Sequence, residues 1–202
     1  MIKGILMIIA GYLLGSIPSA LIVGKLWKNI DIRNYGSGNL GATNVLRVLG
    51  PIPALITAIM DVGKGILTVS LAQYFLQNNN VFIILACISA IVGHSCPIFA
   101  NFRGGRSVGV SGGILFWLFP KTTLLCLVIA FTIVYLTKYK SVGSIISAII
   151  YPFLLSIFEK PSIEYFIVVL FASIFVIFRH IPNIKRLIQG KEHKVEWFKN
   201  KN

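Results

Sequence analysis

The stretch Val81-Phe82-Ile83-Ile84-Leu85-Ala86-Cys87-Ile88-Ser89-Ala90-Ile91-Val92-Gly93-His94-Ser95-Cys96-Pro97-Ile98-Phe99-Ala100 holds twenty residues and not one Asp, Glu, Lys or Arg. Coiled as an α-helix, such a run rises about 30 Å, the thickness of a bilayer's hydrocarbon core. Its apolar residues form a continuous run, where a helix on a soluble core would carry a single stripe. Comparable runs lie at 4–24, 52–76, 107–119, 121–137, 142–158 and 162–180. The sequence therefore predicts an all-α integral membrane protein of about seven transmembrane helices. The fourth to sixth runs are short and carry glycine. Pro18, Gly63, Gly143 and Pro152 fall inside runs, where neighbouring helices can satisfy the freed backbone groups.

Composition agrees. Of 202 residues, 56% are hydrophobic and 12% charged, against about 25% charged in an ordinary soluble domain. A single membrane domain over 1–202 is expected, with no internal repeat. The segment from Ile5 to Val23 is too long for the apolar core of a signal peptide and reads as a retained span. Cys87, Cys96 and Cys126 show no paired spacing, which argues against disulfides and structural zinc. The net charge of +13 does not point to nucleic acid. In a multi-span protein it points to basic loops beside anionic headgroups, or to a phosphorylated substrate.

The basic residues are unevenly divided. One set of connections carries Lys25, Lys28, Arg33, Arg47, Arg103, Arg106, Lys138 and Lys140. The tail beyond 179 adds Arg179, Lys185, Arg186, Lys191, Lys194, Lys199 and Lys201. The opposite connections carry only Lys3, Lys121 and Lys160, and Lys64 lies within a span. Positive charge marks the cytoplasmic side, so the N-terminus is expected outside and the C-terminus inside. The cytoplasmic parts are then the loops at about 25–51, 101–107 and 138–143 and the tail 179–202. The turn Gln77-Asn78-Asn79-Asn80 is external.

The unusual polar residues cluster in those cytoplasmic parts. In Tyr35-Gly36-Ser37-Gly38-Asn39-Leu40-Gly41-Ala42-Thr43-Asn44, three glycines allow backbone N–H groups to curl around an anion. Ser37, Asn39, Thr43 and Asn44 add side-chain donors, and Thr43 or Asn44 is placed to cap a following helix that carries Arg47. The spacing Gly36-x-Gly38-x-x-Gly41 also fits a dinucleotide pattern, but no β-strand precedes it. In Phe102-Arg103-Gly104-Gly105-Arg106-Ser107, two guanidiniums can grip phosphate oxygens and Ser107 can cap the next span. Two further clusters are Lys138 to Ser144 and Arg179 to Gly190. In the second, His180 and Asn183 stand three apart and share a face if helical. Each cluster alone also fits simple anchoring at the membrane surface.

Asp61 and Lys64 lie three apart inside a span, where mutual neutralisation is expected. His94 fits either a structural hydrogen bond or a reacting group. Metal-ligand spacing is absent. No His is followed five residues on by Asp, since Phe99 and Lys185 occupy those places, so a local His-Asp acyltransferase dyad lacks its parts. Carboxylates on the basic side are few: Asp31, Glu192 and Glu196.

Taken in order, Gly15-Ser16-Ile17-Pro18, Gly36 through Asn44, Asp61-Val62-Gly63-Lys64-Gly65, Gly93-His94, Gly104-Gly105, Gly143-Ser144 and Arg179-His180 through Gly190 resemble the bacterial acyl-phosphate:glycerol-3-phosphate acyltransferase family, PlsY. The likeness spans nearly the whole chain. It implies a seven-span enzyme of the bacterial inner membrane, active at the cytoplasmic face, in phospholipid synthesis. Such an enzyme moves an acyl chain from acyl phosphate to glycerol 3-phosphate, giving lysophosphatidate and phosphate without metal or cofactor. The resemblance makes Ser37, Asn39, His180 and Asn183 catalytic. It makes Gly36, Gly38, Gly41, Thr43, Asn44, Arg47, Gly104, Gly105, Arg106 and Ser144 substrate-binding. The family's usual Gly-Gly-Lys-Gly reads Gly104-Gly105-Arg106-Ser107 here. Arginine is not an equivalent donor to lysine, and serine disfavours the positive φ that glycine allows. Cys96 also stands where an aromatic residue is common.

An acyl phosphate is already activated, so holding carbonyl and hydroxyl together supplies much of the rate. Donors near Ser37 and Asn39 would stabilise the oxyanion. Either His180 or the bound phosphate would accept the proton. Two rivals use the same basic residues: a membrane transporter for a phosphorylated metabolite, and a non-catalytic paralog that binds lipid phosphate. A transporter should show polar residues along a path through the midplane. Here they gather at one face, apart from Asp61 and Lys64.

Overall fold

Every expected apolar run is helical in the computed structural model, which describes residues 1–77 and 79–195. Asn78 of the turn expected outside, and Glu196, Lys199 and Lys201 of the basic tail, lie outside the described residues. Among those described there is no β-strand.

The run quoted first becomes α5 (Asn80–Ser95). Pro97 ends it, because proline pushes the preceding residue out of the helical region, and a 3₁₀ turn at Ile98–Ala100 follows. α5 is the buried core: Ile83, Ala86, Cys87, Ala90 and Ile91 are wholly covered. α1 (Ile2–Ser16) lies along it. A side chain at Gly11 or Gly15 would strike the Ala86 or Ala90 carbonyls, so small residues bring the two backbones close, as in many membrane helix pairs.

Pro18 breaks the first span, and the chain resumes as α2 (Ser19–Lys28). The 25–51 connection holds a 3₁₀ turn at Ile32–Asn34 and a short helix α3 (Ala42–Leu49). α4 (Pro51–Leu76) starts with proline in its first turn, where the missing N–H costs nothing. It packs on α6 (Val108–Leu118) where Gly65 faces Val110 and Gly113 faces Val62. α7 (Pro120–Thr137), α8 (Lys140–Phe158) and α9 (Ile163–Arg179) complete the bundle. A bend of 48° after α9 leads into α10 (Ile181–Ile188). On α7, Leu124, Val128, Phe131 and Tyr135 are exposed. That apolar stripe suits lipid better than water.

Among the described residues, five helical segments are long and apolar enough to cross a membrane, and the bent α9–α10 pair makes a sixth if it is one span. The fourth expected span is shorter than its apolar run. Ser107 turns the chain with φ +60 before α6, and Phe119-Pro120 turns it after. The remaining 11 residues rise only about 16 Å, so α6 lies within the bundle at less than bilayer thickness.

Candidate active site

The polar clusters meet at one end of the bundle, around a cavity of about 180 Å³. Its first wall is the 36–44 loop. Gly36 and Gly38 take φ +61 and +69, the left-handed region that glycine tolerates. The loop is pinned by Asn44, which is almost fully buried. Asn44 Oδ1 accepts the Ser37 N–H at 2.8 Å, and Nδ2 donates to the carbonyls of Tyr35 (3.0 Å) and Ile32 (3.2 Å). Asn44 is thus a staple rather than a helix cap. The N-cap of α3 is Gly41, with no side-chain bond from Thr43 or Asn44. The expected ring of free N–H groups is also largely used up. Besides Ser37, the Gly38 N–H bonds the Tyr35 carbonyl and the Gly41 N–H bonds the Asn39 carbonyl. What the loop offers the cavity is side chains: Ser37, Asn39 and Thr43, with Arg47 one turn beyond Thr43.

Arg33 does not reach the cavity. Its guanidinium grips both Asp31 carboxylate oxygens, at 2.6 and 3.0 Å, and bonds the Ala100 carbonyl. That hydrogen-bonded pairing holds the Asp31 carboxyl below its usual range.

The second wall is the 104–109 segment. Arg106 lines the cavity; Arg103 is exposed and turned away, so the expected two-arginine grip has one member. Gly104 and Gly105 do not line it. A side chain at Gly104 would strike the His94 and Ser95 carbonyls, and one at Gly105 would strike the His94 ring. These glycines seat the loop on the end of α5. Ser107 begins α6 but caps nothing: its hydroxyl donates to the Ile91 carbonyl at 2.7 Å. The Arg179 guanidinium likewise serves the loop, donating to the Gly105 carbonyl at 3.1 and 3.3 Å.

The third wall comes from α8 and α10. Ser144 lines it as expected, joined by Lys140 and Ser141. His180, Asn183 and Arg186 follow at three-residue steps on one face of α10. His180 Nδ1 lies 2.7 Å from the Val176 carbonyl, which can only accept. The neutral ring therefore carries its proton on Nδ1 and leaves a lone pair on Nε2. Asn183 Nδ2 and Arg186 Nε donate to the two oxygens of Glu192, at 2.6 and 2.8 Å. Asn183 Oδ1 is buried with no partner among the described residues.

The floor holds Asp61 and His94. Lys64 Nζ pairs with Asp61 at 3.0 Å, the expected neutralisation, while His94 Nδ1 lies 3.6 Å from the same oxygen. Positive charge dominates the site. Burial, and then the neighbouring Arg186, Arg179 and Arg47, push the Arg106 pKa down to about 10, with Glu192 opposing. A buried cation beside other cations gains from an anion, which would oppose both effects.

The sequence singled out ten residues that line this cavity: Ser37, Asn39, Gly41, Thr43, Asn44, Arg47, Arg106, Ser144, His180 and Asn183. Gly36, Gly38, Gly104 and Gly105 shape the walls instead. Lys140 and Arg186 lay in the basic clusters and Glu192 among the few carboxylates, but none of the three was assigned to the site. For Arg186 a signal existed, the three-residue step from His180 and Asn183. For Glu192, in a non-helical tail, there was none.

The profile of the family described as glycerol-3-phosphate acyltransferase matches residues 5–190. The chain belongs to the glycerol-3-phosphate acyltransferase family. A relative of that name from Bacillus subtilis (strain 168) is 45% identical over 192 residues, 95% of this chain and 97% of its own. One from Prochlorococcus marinus (strain MIT 9312) is 43% identical, with the same coverage. Two solved structures of PlsY (YgiH), an integral membrane glycerol 3-phosphate acyltransferase, share the fold at 30% identity. The glycerol 3-phosphate form covers 96% of each chain with a TM-score of 0.89. The lysophosphatidic acid form matches with a TM-score of 0.88 over 96% of this chain and 95% of its own. Membership in this acyltransferase family accords with a membrane bundle whose polar residues converge on one cationic cavity.

Proposed function

We propose that the protein acylates glycerol 3-phosphate with acyl phosphate, forming lysophosphatidate and phosphate for membrane phospholipid synthesis. The observation that carries this reading is the single cavity that gathers Ser37, Arg47, Arg106, Ser144 and His180 from four distant segments. Arg47, Arg106, Arg186 and Lys140 provide positive charge for the two phosphate groups. Ser37 and Asn39 stand where donors could meet the carbonyl oxygen as it turns into an oxyanion.

The substrate hydroxyl oxygen bonds to the acyl carbon, and the bond from that carbon to the phosphate oxygen breaks. Phosphate leaves with the electron pair. The hydroxyl proton passes to His180 Nε2, or to the departing phosphate, so no covalent enzyme intermediate is needed. Asn183 Oδ1, an acceptor without a partner among the described residues, suits a substrate hydroxyl. The acyl tail stays among the helices and lipid.

The membrane reading belongs to the same proposal. Seven crossings, with α6 a short one, place the N-terminus outside and the basic loops and cavity at the cytoplasmic face of the bacterial inner membrane. This topology rests on the charge asymmetry of the connections. The test of function is a product assay on purified protein in detergent with a chelator present. Lysophosphatidate and phosphate should appear in equal amounts. No lysophosphatidate from a folded preparation would overturn the reading.

A further inference from the structure

Both chain neighbours of Arg106 are held by one side chain, that of Ser95. Ser95, wholly buried at the end of α5, donates to the Gly105 carbonyl at 2.9 Å and lies 3.0 Å from the Ser107 hydroxyl. Ser107, also wholly buried, donates onward to the Ile91 carbonyl at 2.7 Å. Each hydroxyl has one proton. Ser107 spends its proton on Ile91, so the Ser95 proton is shared between the Gly105 carbonyl and the Ser107 oxygen.

The backbone supplies a second, independent observation. Ser107 sits at φ +60, ψ 10, a left-handed region uncommon for a residue with a Cβ. Nothing in the local sequence favours that conformation. The buried hydrogen bonds do, because releasing the hydroxyl would leave polar groups unpaired in an apolar interior. The loop is further seated by the Gly105 N–H on the His94 carbonyl at 3.1 Å and by Arg179 on the Gly105 carbonyl.

We infer that Ser95 and Ser107 are positioning residues that act through Arg106: they fix the backbone on both sides of it and so aim its guanidinium at the phosphate of glycerol 3-phosphate. This rests on the proposed reading of the cavity as a phosphate site. A guanidinium is a planar fork whose bonds depend on orientation, whereas a lysine ammonium is a compact charge on a flexible stem. The clamp should therefore matter more for arginine than for lysine at position 106.

The experiment measures KM and kcat for glycerol 3-phosphate, its Kd by calorimetry, and the melting temperature of each purified protein. Ser107→Ala and Ser107→Gly are made in three backgrounds: unchanged, Arg106→Ala and Arg106→Lys. Ser107→Gly removes the hydroxyl but accepts the positive φ, so it guards against a variant that merely fails to fold. Each should raise KM and Kd about tenfold in the unchanged background, the scale of one lost buried hydrogen bond, with kcat within about twofold. In the Arg106→Ala background neither should change Kd further, and in the Arg106→Lys background the effect should shrink to about twofold or less. A Ser107→Gly protein with unchanged KM and Kd would overturn the clamp. So would an equal loss in all three backgrounds, which is the pattern of a merely structural residue. If the unchanged protein binds glycerol 3-phosphate but makes no product, the proposed reaction is wrong, while the Kd comparison still tests the clamp. If it binds none, both fall.

Discussion

Lys64 Nζ donates to the carbonyl oxygen of Ile17 at 2.9 Å, across 47 residues of sequence. Pro18 breaks the first span and takes that carbonyl out of regular helical bonding, so that Lys64 and the Ser19 N–H at 3.0 Å satisfy it instead. The same ammonium pairs with Asp61 at 3.0 Å. One buried cation thus repairs a helix break and neutralises a carboxylate on the cavity floor.

Removing Lys64 strips the buried Asp61 carboxylate of its cation and leaves the Ile17 carbonyl with only the Ser19 N–H. Lys64→Met should destabilise the protein by about 3–5 kcal/mol, the usual cost of breaking a buried pair from one side. The double variant Lys64→Met with Asp61→Asn should recover much of that loss. Unfolding in detergent measures both. A single variant as stable as the parent would contradict the pairing.

The 36–44 loop yields a catalytic prediction. Ser37→Ala and Asn39→Ala should each lower kcat by about 10²- to 10³-fold, the scale for losing one oxyanion donor. Melting temperatures should hardly move, because the loop is stapled by Asn44. Near-normal turnover in purified Ser37→Ala would return the loop to a plain turn.

Glu192 links the site to pH. Desolvation raises its pKa, but the hydrogen bonds from Asn183 and Arg186 outweigh this and hold it below the ordinary 4.5. A carboxylate with a depressed folded pKa contributes stability above its unfolded value and loses it as pH falls through the folded one. Melting temperature should therefore drop as pH falls from 4.5 downward. Glu192→Gln should lower the melting temperature at neutral pH and flatten that acid limb. An acid limb of the same steepness in the variant would contradict the assignment.

Topology is tested by labelling single cysteines in a Cys96→Ser background. Asn79 and Gln189 are exposed, at opposite ends of the bundle. Asn79→Cys should react from outside only and Gln189→Cys from inside only. The reverse pattern would move the cavity to the other face.

Much of this was readable because its physics is local. A twenty-residue apolar run must span or be buried, so the helices could be placed from the sequence. Gly36 and Gly38 announced a tight turn, and the step from His180 to Asn183 announced a shared face. Effects between distant segments were not readable. His94 and Asp61 lie 33 residues apart, so a scan for neighbouring His and Asp missed a pair that the fold sets 3.6 Å apart. Asn44 looked like a cap or a ligand because its partners, Ile32 and Tyr35, belong to a turn whose path only the fold defines. Gly104 and Gly105 suggested close approach to substrate, but what approaches them is His94. The shortness of α6 depends on where Ser107 and Phe119 turn the chain, which hydropathy does not record.

This cationic cavity should take its acyl group from an acyl phosphate. The most direct test gives the purified protein glycerol 3-phosphate with acyl phosphate, acyl-CoA or acyl carrier protein in turn, with a chelator present, and measures lysophosphatidate. The account predicts turnover with acyl phosphate alone. Robust turnover with acyl-CoA and none with acyl phosphate would contradict it.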